Sequence, residues 1–503
     1  MCDWNSPVAF PLSTNRRFGP FNALIRLVLR RLETRFQWNS GLILQGRELM
    51  RKTNLRSFAA TLGFCLLLFS PLLLSVASVS AQQDWIRTGT NRGAPVRLAV
   101  PDFKPAGNDP QTAPLNTVFN QTLWNDLDNS GIFEMVSKSF YPLQTPGSPG
   151  EMKLDAWSNS PVNASFVAFG NLGVTNGKLQ VQGWLFDAKN TASPQVLGKQ
   201  YQEAATADNA RLIAHRFADE IIFRLGGGIP GVAESRIFFV SSRSGHKEVW
   251  AMDYDGEGQQ QLTHLNSIAL SPRVSPDSSR VAFSGLTGDS WQILLYSLDL
   301  GRVVSFPRFG GDNFSPAWSS DGSKVAFSSS MRNGDPEIYL TDSTGAGAKR
   351  LTAFKGSDVS PVFNPKTNAQ IAWVSGRTGL PQIFVMDADG SNVQQITNEG
   401  YAVSPSWSPN GLLLAFSWIR HYGPGAPGGQ DIYLMNVASR QFVQLTHDSG
   451  RNDFPSWSPD GRHIVFQSTR SGSEQIWTML GDGTHQQQLT RNGRNSMPNW
   501  SYK

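Results

Sequence analysis

Short hydrophobic segments alternate with Asp-Gly, Asn-Gly and Ser-Gly turns through residues 236–503. The segments are rich in β-branched and aromatic residues, as in Val325-Ala326-Phe327-Ser328, which is typical of β-strands. No helical periodicity of similar strength interrupts them. The C-terminal half of the chain is therefore predicted to consist of short strands joined by tight turns.

These strands belong to a repeat whose fullest copy reads Ser-Pro-Ser-Trp-Ser-Pro-Asn-Gly, beginning at Ser404. The repeat spacing of 43 to 50 residues is that of a four-stranded propeller blade and not of common helical repeats. Because one such sheet cannot bury both of its faces, the sheets are expected to stack radially as a six-bladed propeller. The proline before the aromatic position marks the six copies at Pro272, Pro316, Pro361, Pro405, Pro455 and Pro498.

The ends of the repeat region predict how the ring closes. The first unit starts at Arg236 without a preceding Pro-x-Trp segment, whereas the last copy of that segment, at Pro498, stands alone near the end of the sequence. We expect the C-terminal strand to pair with the first strands of the repeat, because this pairing removes an exposed sheet edge.

Residues 95–228 show a different pattern, typical of a small α/β domain. Strands are predicted at residues 96–100, 133–136, 164–170 and 178–187. Apolar residues at helical spacing predict one helix over residues 115–127 and a second over residues 212–225, which ends at glycines 226–228. The predicted fold class is mainly β, with a propeller at residues 229–503 preceded by this α/β domain.

The N-terminal region carries the features of an export signal. Basic residues at 51, 52 and 56, an apolar run over residues 58–74 and the small residues Val79-Ser80-Ala81 predict a signal peptide at residues 50–81, cleaved between Ala81 and Gln82. An uncleaved membrane anchor is the alternative. Residues 1–49 form an extension of doubtful status, and Met50 is a candidate translation start. Both cysteines, Cys2 and Cys65, lie before the predicted cleavage site.

Charge is concentrated in the same region. Residues 1–81 contain 10 Lys or Arg and 3 Asp or Glu, a net charge of +7, so that the remainder carries −2 of the total of +5. This distribution argues against a nucleic-acid-binding protein. The polar segment at residues 82–94 contains Trp85, Ile86, Arg87 and Arg92. Its composition alone favours a tail over a segment that docks on a partner.

The combination of these features resembles the TolB family, the periplasmic component of the Tol–Pal system. The resemblance covers residues 82–503 and is most specific in Ala94-Pro95-Val96-Arg97-Leu98-Ala99-Val100-Pro101 and in Gly228-Ile229-Pro230-Gly231. It implies a monomeric, non-enzymatic periplasmic adaptor without a cofactor, which supports outer-membrane integrity and cell division. It also implies that the propeller binds Pal, a peptidoglycan-associated lipoprotein, and that residues 82–93 bind TolA of the inner membrane.

The resemblance places the Pal-binding surface at one mouth of the propeller channel. The loops that lead into the Pro-x-Trp strands should crowd there, and they mix arginine, aspartate and aromatic residues, which anchor interfaces. The alternative is that these residues only solvate loop tips. The candidate partner-binding residues are Arg308, Phe309, Asp312, Asp358, Tyr401, Arg451, Asp453 and Arg494 for the propeller, and Trp85, Ile86, Arg87 and Arg92 for the N-terminal segment.

Enzyme and metal chemistry finds little support in the sequence. The blade repeat also resembles prolyl oligopeptidases, but no G-x-S-x-G nucleophile elbow occurs. The seven histidines have no metal-ligand spacing, and the Asp-x-Asp-Gly segments at 253 and 387 predict turns and not calcium loops. The arginines Arg243, Arg332, Arg377 and Arg470 recur at one blade position, which indicates a turn-stabilising role on the surface. An insertion at residues 420–429 is interpreted as a surface loop of unknown use.

Overall fold

The computed structural model describes residues 95–332, 334–422, 429–447 and 449–502 of the 503-residue chain. The predicted signal peptide, its cleavage site at Ala81 and Gln82, and the segment at residues 82–94 lie outside the described residues. The described part confirms the predicted fold class: a small α/β domain precedes a β-propeller whose described strands form six four-stranded sheets.

The α/β domain contains one mixed sheet with the strand order β3-β1-β4-β5-β6, in which β2 pairs with β4. Strands β1, β2, β3 and β4 pair in parallel, and β4, β5 and β6 pair antiparallel. The strands are β1 Val96–Ala99, β2 Lys104–Ala106, β3 Phe133–Met135, β4 Phe166–Thr175, β5 Lys178–Asp187 and β6 Gln195–Ala204, and the helices are α1 Thr112–Asn129, α2 Leu154–Ser158 and α3 Ala207–Leu225.

Helices α1 and α3 cover one face of this sheet. Phe119 and Leu123 of α1 and Phe217 of α3 are fully buried in the same apolar cluster as sheet residues such as Leu172 and Leu185. Helix α3 ends as the sequence predicts, because Gly227 and Gly228 both adopt positive φ, +77°. The sequence analysis missed β2, β6 and α2. Strand β6 alternates exposed and partly buried positions and contains four Gln or Glu residues, so it lacks a clear apolar pattern.

In each blade of the propeller the Pro-x-Trp strand is the innermost, and three further strands follow outward. The six sheets, each from inner to outer strand, are β10 Ala269–Val274, β11 Arg280–Thr287, β12 Ser290–Ser297, β13 Arg302–Val304; β14 Asn313–Trp318, β15 Lys324–Ser329, β16 Glu337–Asp342, β17 Lys349–Arg350; β18 Asp358–Phe363, β19 Gln370–Ser375, β20 Gln382–Asp387, β21 Gln394–Gln395; β22 Tyr401–Trp407, β23 Leu413–Ile419, β24 Asp431–Asn436, β25 Phe442–Gln444; β26 Asn452–Trp457, β27 His463–Ser468, β28 Gln475–Leu480, β29 Gln487–Gln488; and β30 Asn495–Trp500, β7 Arg236–Ser241, β8 Glu248–Asp253, β9 Gln260–Gln261.

The ring closes through the predicted pairing. Strand β30 pairs antiparallel with β7, with Asn495 opposite Ser241 and Trp500 opposite Ile237. The indole of Trp500 donates a hydrogen bond to the Ser235 hydroxyl at 2.7 Å. The last blade is therefore built from both ends of the repeat region, and its inner strand comes from the C-terminus.

The α/β domain packs on one face of the propeller through buried polar contacts. Asp126 of α1 accepts a hydrogen bond from the Tyr254 hydroxyl and contacts His215 of α3 at 2.7 Å. The fully buried Arg462 donates to the Gly226 carbonyl at 2.9 Å, and His463 donates to the Asn129 carbonyl at 2.8 Å. Of the three propeller residues, Tyr254 directly follows β8, Arg462 lies in the turn between β26 and β27, and His463 is the first residue of β27. We call this side of the propeller the closed face.

Candidate functional site

The strand directions place the loops of the propeller at two opposite ends. Neighbouring strands within each blade are antiparallel, so the loops that lead into the inner strands share one end with the turns between the second and third strands. The contacts with the α/β domain come from the other end, at Tyr254 and Arg462. We call the end where the inner strands begin the rim, and it carries the candidate residues on the propeller.

Each inner strand contains a β-bulge a few residues after its start at the rim. In β14, Phe314 pairs with Ser328 and Ala317 with Ala326, so Ser315 and Pro316 together face one residue of the neighbouring strand. The residue before the proline has positive φ in all six blades. These residues are Ser271, Ser315, Ser360, Ser404, Phe454 and Met497, with φ of +51° to +56°. Five of them border a cavity at the centre of the ring, and four of these five are serines.

A clasp of polar side chains anchors the start of several inner strands. Arg377 donates to the carboxylate of Asp358 at 2.8 Å, and its Nε donates to the Ser375 hydroxyl at 2.8 Å. The guanidinium lies 4.9 Å from the centre of the Phe384 ring. The same arrangement joins Arg470 to Asn452 at 3.0 Å and Arg243 to Asn495 at 2.9 Å.

The clasp changes the interpretation of two sets of predicted residues. Arg243, Arg377 and Arg470 have the structural role that their repetition suggests, but they are partly buried and not on the outer surface as expected. The reason is that each guanidinium packs over aromatic rings of its own blade. Asp358 is fully buried and paired, so it holds the blade together and presents no surface at the rim.

Three of the candidate residues lie close together on the fourth and fifth blades. Burial raises the pKa of Tyr401, with the nearby Asp453 carboxylate adding to the shift. Asp453 accepts a hydrogen bond from the Ser417 hydroxyl at 2.7 Å, and Arg451 donates to the Gln430 side chain at 3.2 Å. Tyr401, Arg451 and Asp453 therefore form one polar and aromatic cluster beside the channel.

The start of the insertion lies next to this cluster. The Tyr422 ring is 5.8 Å from that of Tyr401, and Tyr422 is 55% exposed. Arg420 donates to the Glu399 carboxylate at 2.6 Å and lies 4.8 Å from the Phe442 ring. Residues 423–428 of the insertion are outside the described residues. The described ends of the insertion thus extend the rim beside Tyr401.

The candidate residues on the second blade divide into packed and exposed side chains. The Phe309 ring stacks on Phe327 at 4.8 Å, inside the blade. Asp312 accepts a hydrogen bond from the Trp291 amide at 3.0 Å, which fixes the loop. Arg308 is exposed, whereas Phe309 and Asp312 are only partly exposed. On the last blade, the side chain of Arg494 is 73% exposed and lies 3.9 Å from the Glu474 carboxylate.

Two exposed apolar residues at the rim were missed by sequence reasoning. Phe354 is 52% exposed and packs against the Arg377 guanidinium at 4.7 Å, and Leu380 is 39% exposed in a turn of the same blade. Phe354 lies in the loop between β17 and the inner strand β18. The available signal was an aromatic residue two positions after the Leu-Thr segment, where three other blades have a polar residue and one has leucine. The candidate residues Trp85, Ile86, Arg87 and Arg92 lie outside the described residues.

Comparison with known proteins agrees with the fold and with the order of its two domains along the chain. The profile of the TolB beta propeller domain matches residues 224–421 and 398–503, which is more than half of the chain. The chain belongs to the TolB family. The profile of the TolB amino-terminal domain matches residues 86–193, so both domains of the family are present.

Individual relatives give the same assignment within the Tol–Pal system. The chain is 34% identical over 304 residues to a protein TolB homolog of Chlorobium chlorochromatii, covering 60% of this chain and 66% of that protein. It is 32% identical over 290 residues to a Tol-Pal system protein TolB of Desulfosudis oleivorans, covering 57% of this chain and 64% of that protein. The matched stretch thus spans less than two thirds of these relatives.

A solved structure shows the same fold over most of the chain. The crystal structure of TolB from Acinetobacter baumannii superimposes with a TM-score of 0.68 at 24% identity, covering 81% of this chain and 97% of that one. Within the described residues, no helix is long and apolar enough to span a membrane. Nor do the described side chains bring together three or more His, Cys, Asp or Glu in an arrangement that could hold a metal ion.

Proposed function

We propose that this chain is a non-enzymatic periplasmic adaptor of the Tol–Pal system, which binds a Pal-like lipoprotein at the rim of its propeller. Membership of the TolB family supports the proposal. The observation that carries it is the composition of the rim, where the Tyr401, Arg451 and Asp453 cluster lies beside the channel. Tyrosine and arginine are enriched at the centres of protein interfaces.

The architecture suits a rigid binding surface. The clasps at Asp358, Asn452 and Asn495 fix the start of three inner strands, so the loops above them begin from anchored positions. A preorganised surface loses little conformational entropy when a partner binds. Exposed Arg308 and Arg494 and the apolar Phe354 extend this surface around the channel.

A second contact is proposed for residues 82–93, which would bind a TolA-like inner-membrane protein. Through these two contacts the protein would link the two membranes and support outer-membrane integrity and cell division. The protein would be exported by the signal at residues 50–81 and would reach the membranes only through its partners. These roles rest on family membership and on the residues of the segment, among them Trp85, Ile86, Arg87 and Arg92.

The test is a binding assay between the full chain and the soluble domain of the Pal-like lipoprotein from the same cell. We expect Tyr401→Ala and Arg451→Ala each to weaken binding by about 10-fold or more, because buried interface anchors carry most of the binding energy. Arg302→Ala is the matched control, since Arg302 is exposed on the outer strand β13, away from the rim. If all three variants bound the lipoprotein equally well, the rim would not be the binding surface.

The N-terminal contact and the enzymatic alternative can be tested with the same material. Deletion of residues 82–93 should abolish binding of the TolA-like protein and leave binding of the lipoprotein unchanged. Recovery of the chain in the cytoplasmic fraction would contradict export. Hydrolysis of proline-containing peptides by the purified chain would favour the alternative of a prolyl oligopeptidase-type enzyme.

A further inference from the structure

One inner strand places an arginine where the other five have small or uncharged side chains. Arg273 follows the bulge of β10. The corresponding residues of the other inner strands are Ala317, Val362, Ser406, Ser456 and Asn499. The next residue of this strand, Val274, is not aromatic, whereas the other inner strands have Trp or Phe at that position. The first blade therefore brings a cation into the ring of inner strands.

Arg273 borders two adjoining cavities in the channel. The larger has a volume of about 120 Å³ and lies beside the aromatic ends of the inner strands, where Trp318 and Trp407 also line it. The smaller has a volume of about 20 Å³ and lies at the ring of serines, including Ser315 and Ser360. Among the described residues that line these cavities, only Arg273 carries a charge.

The guanidinium has little to compensate its charge. Its Nη1 donates to the carbonyl of Pro272 at 2.9 Å, and no carboxylate of the described residues lies within ion-pair distance of it. Arg273 is partly accessible, and it borders both channel cavities. Burial lowers the pKa of Arg273 to about 10, and no neighbouring carboxylate offsets the shift.

Arg243 and Arg470 donate to neutral asparagine side chains, whereas two other partly buried arginines of the propeller pair with carboxylates. Arg377 pairs with the Asp358 carboxylate, and Arg350 with that of Glu337 at 2.6 Å. The Asp453 carboxylate, on the inner strand β26, accepts hydrogen bonds from the Ser417 hydroxyl and the Phe454 amide. A charge buried without a counterion is costly, and at a pKa of about 10 Arg273 remains charged at neutral pH.

We propose that the propeller channel binds an anion against the Arg273 guanidinium. The ligand class is a single carboxylate or a small inorganic anion such as chloride or sulfate. These share the chemistry that the site offers, which is one guanidinium among serine, asparagine, tryptophan and proline residues, with no carboxylate side chain among the described lining residues. A water needs about 10 to 15 Å³ of such space, so the larger cavity of about 120 Å³ holds an anion of this size with waters.

The geometry assigns a role to each group at the site. The guanidinium has donors left beyond the one that Pro272 engages, and it can bind a carboxylate or sulfate with two of them. Asn499, whose Oδ1 accepts from the Val274 amide at 2.9 Å, fixes the wall next to β10. The ion offsets the charge of a residue that would otherwise weaken the closed ring.

The test uses calorimetric titration of the full chain with sodium sulfate, sodium chloride and sodium acetate. The background is a dilute zwitterionic buffer without added salt, so that no other small carboxylate or inorganic anion competes. We expect saturable binding of at least one of the three anions with one site per chain. Binding of acetate indicates a carboxylate ligand, and binding of sulfate or chloride alone indicates an inorganic one. Both results support an anion site, and absence of saturable binding for all three overturns it.

Variants locate the site. Arg273→Gln should weaken binding by about 30-fold or more, since loss of one partner of a buried charge pair costs at least this much. Arg273→Lys should keep measurable binding, and Arg302→Gln on the outer strand of the same blade should bind as the unaltered chain does. Unchanged binding by Arg273→Gln means an adventitious ion elsewhere and overturns the proposal.

Stability gives a readout that does not depend on measured affinity. In the dilute zwitterionic buffer, Arg273→Met should melt at a higher temperature than the unaltered chain, because it removes a partly buried charge that lacks a counterion among the described residues. Saturating anion should raise the Tm of the unaltered chain and leave that of Arg273→Met unchanged. A Tm of Arg273→Met that is lower than that of the unaltered chain in this buffer, or equal anion effects on both, contradicts the proposal.

Discussion

The two faces of the propeller are built from the same repeat and differ in what their loops contact. At the closed face, the turns at Tyr254 and Arg462 lie against the α/β domain, where their polar groups find partners in α1 and α3. At the rim, the loops before the inner strands remain accessible, and Arg308 and Arg494 are exposed. One face stabilises the protein, and the other is available for binding.

The difference shows how a symmetric scaffold acquires one functional side. The clasps formed by Arg377 with Asp358 and by Arg470 with Asn452 lie just below the rim, so they hold the loops in place without filling the surface. Charged residues therefore serve two purposes at the rim. The charged residues just below the rim stabilise the blades, and the charged residues at the loop tips are accessible to a partner.

The largest effect should come from breaking the network at the closed face. Asp126→Ala leaves His215 and the Tyr254 hydroxyl buried without their common partner, so we expect a loss of about 3 kcal/mol in the free energy of unfolding. Chemical denaturation measures it. Asp128→Ala is the matched control on the same helix, because Asp128 is exposed and should change stability by less than about 0.5 kcal/mol. Similar losses in both variants would contradict a specific network.

A smaller loss is expected at the clasp beneath the rim. Asp358→Ala removes the carboxylate that pairs with Arg377 and should cost about 2 kcal/mol of unfolding free energy. Asp335→Ala, in an exposed turn at the rim end, should cost far less. Because Asp358 has no exposed surface, folded Asp358→Ala should bind the lipoprotein with nearly unchanged affinity. Strong loss of binding by a fully folded Asp358→Ala variant would mean that Asp358 belongs to the partner-binding surface.

A cleft between α3 and the closed face, lined by Asp219, Pro230 and Pro459, should make stability depend on pH. Burial raises the pKa of Asp219 from 3.8 to about 7, although the Ala233 and Glu234 amides donate to its carboxylate. The folded state therefore holds a proton that the unfolded state releases near pH 4, and stability falls as pH rises from about 4 to 7. The Asp126 carboxylate likewise raises the pKa of His215 against the opposing effect of burial, so loss of its proton adds to the fall.

Asp219→Asn separates these two contributions. The variant lacks the titrating carboxyl, so its unfolding free energy should decline less between pH 4 and 8 than that of the unaltered chain, by an amount on the order of 1 kcal/mol. Thermal unfolding at a series of pH values measures the difference. Parallel pH profiles would show that the carboxyl is not buried as the cleft suggests, and that the closed face is less tightly packed against α3.

The repeat made the propeller predictable from sequence. Each copy carries the proline and aromatic residue of an inner strand, and the lone copy at Pro498 indicated the pairing with Arg236–Ser241. The α/β domain was harder to predict, because strand β6 is rich in glutamine and glutamate and its apolar contacts arise only in the tertiary structure. Local pattern identifies an element well when the element repeats or is strongly amphipathic.

The rim shows why site residues were less predictable than the fold. Loop position correctly placed Asp358 and Phe309 near the channel end, but neither position nor residue type shows that Asp358 pairs with Arg377 or that Phe309 stacks on Phe327. Both contacts join residues separated in sequence, and they decide whether a side chain is exposed. Arg273 was missed for a similar reason, since its distinctiveness depends on the surrounding ring of uncharged residues.

The smallest effect on stability is expected at the rim itself. Arg494 is 73% exposed and 3.9 Å from Glu474, so Arg494→Ala should change the free energy of unfolding by less than about 0.5 kcal/mol. Its effect should instead appear in the association rate of the Pal-like lipoprotein, since exposed charges at an interface edge act mainly through long-range attraction. Stopped-flow measurements at low and high salt test this, because added salt should reduce the difference between Arg494→Ala and the unaltered chain. A substantial loss of stability, with salt-independent association, would mean that the rim at this blade is structural and that the two faces differ less than their exposure indicates.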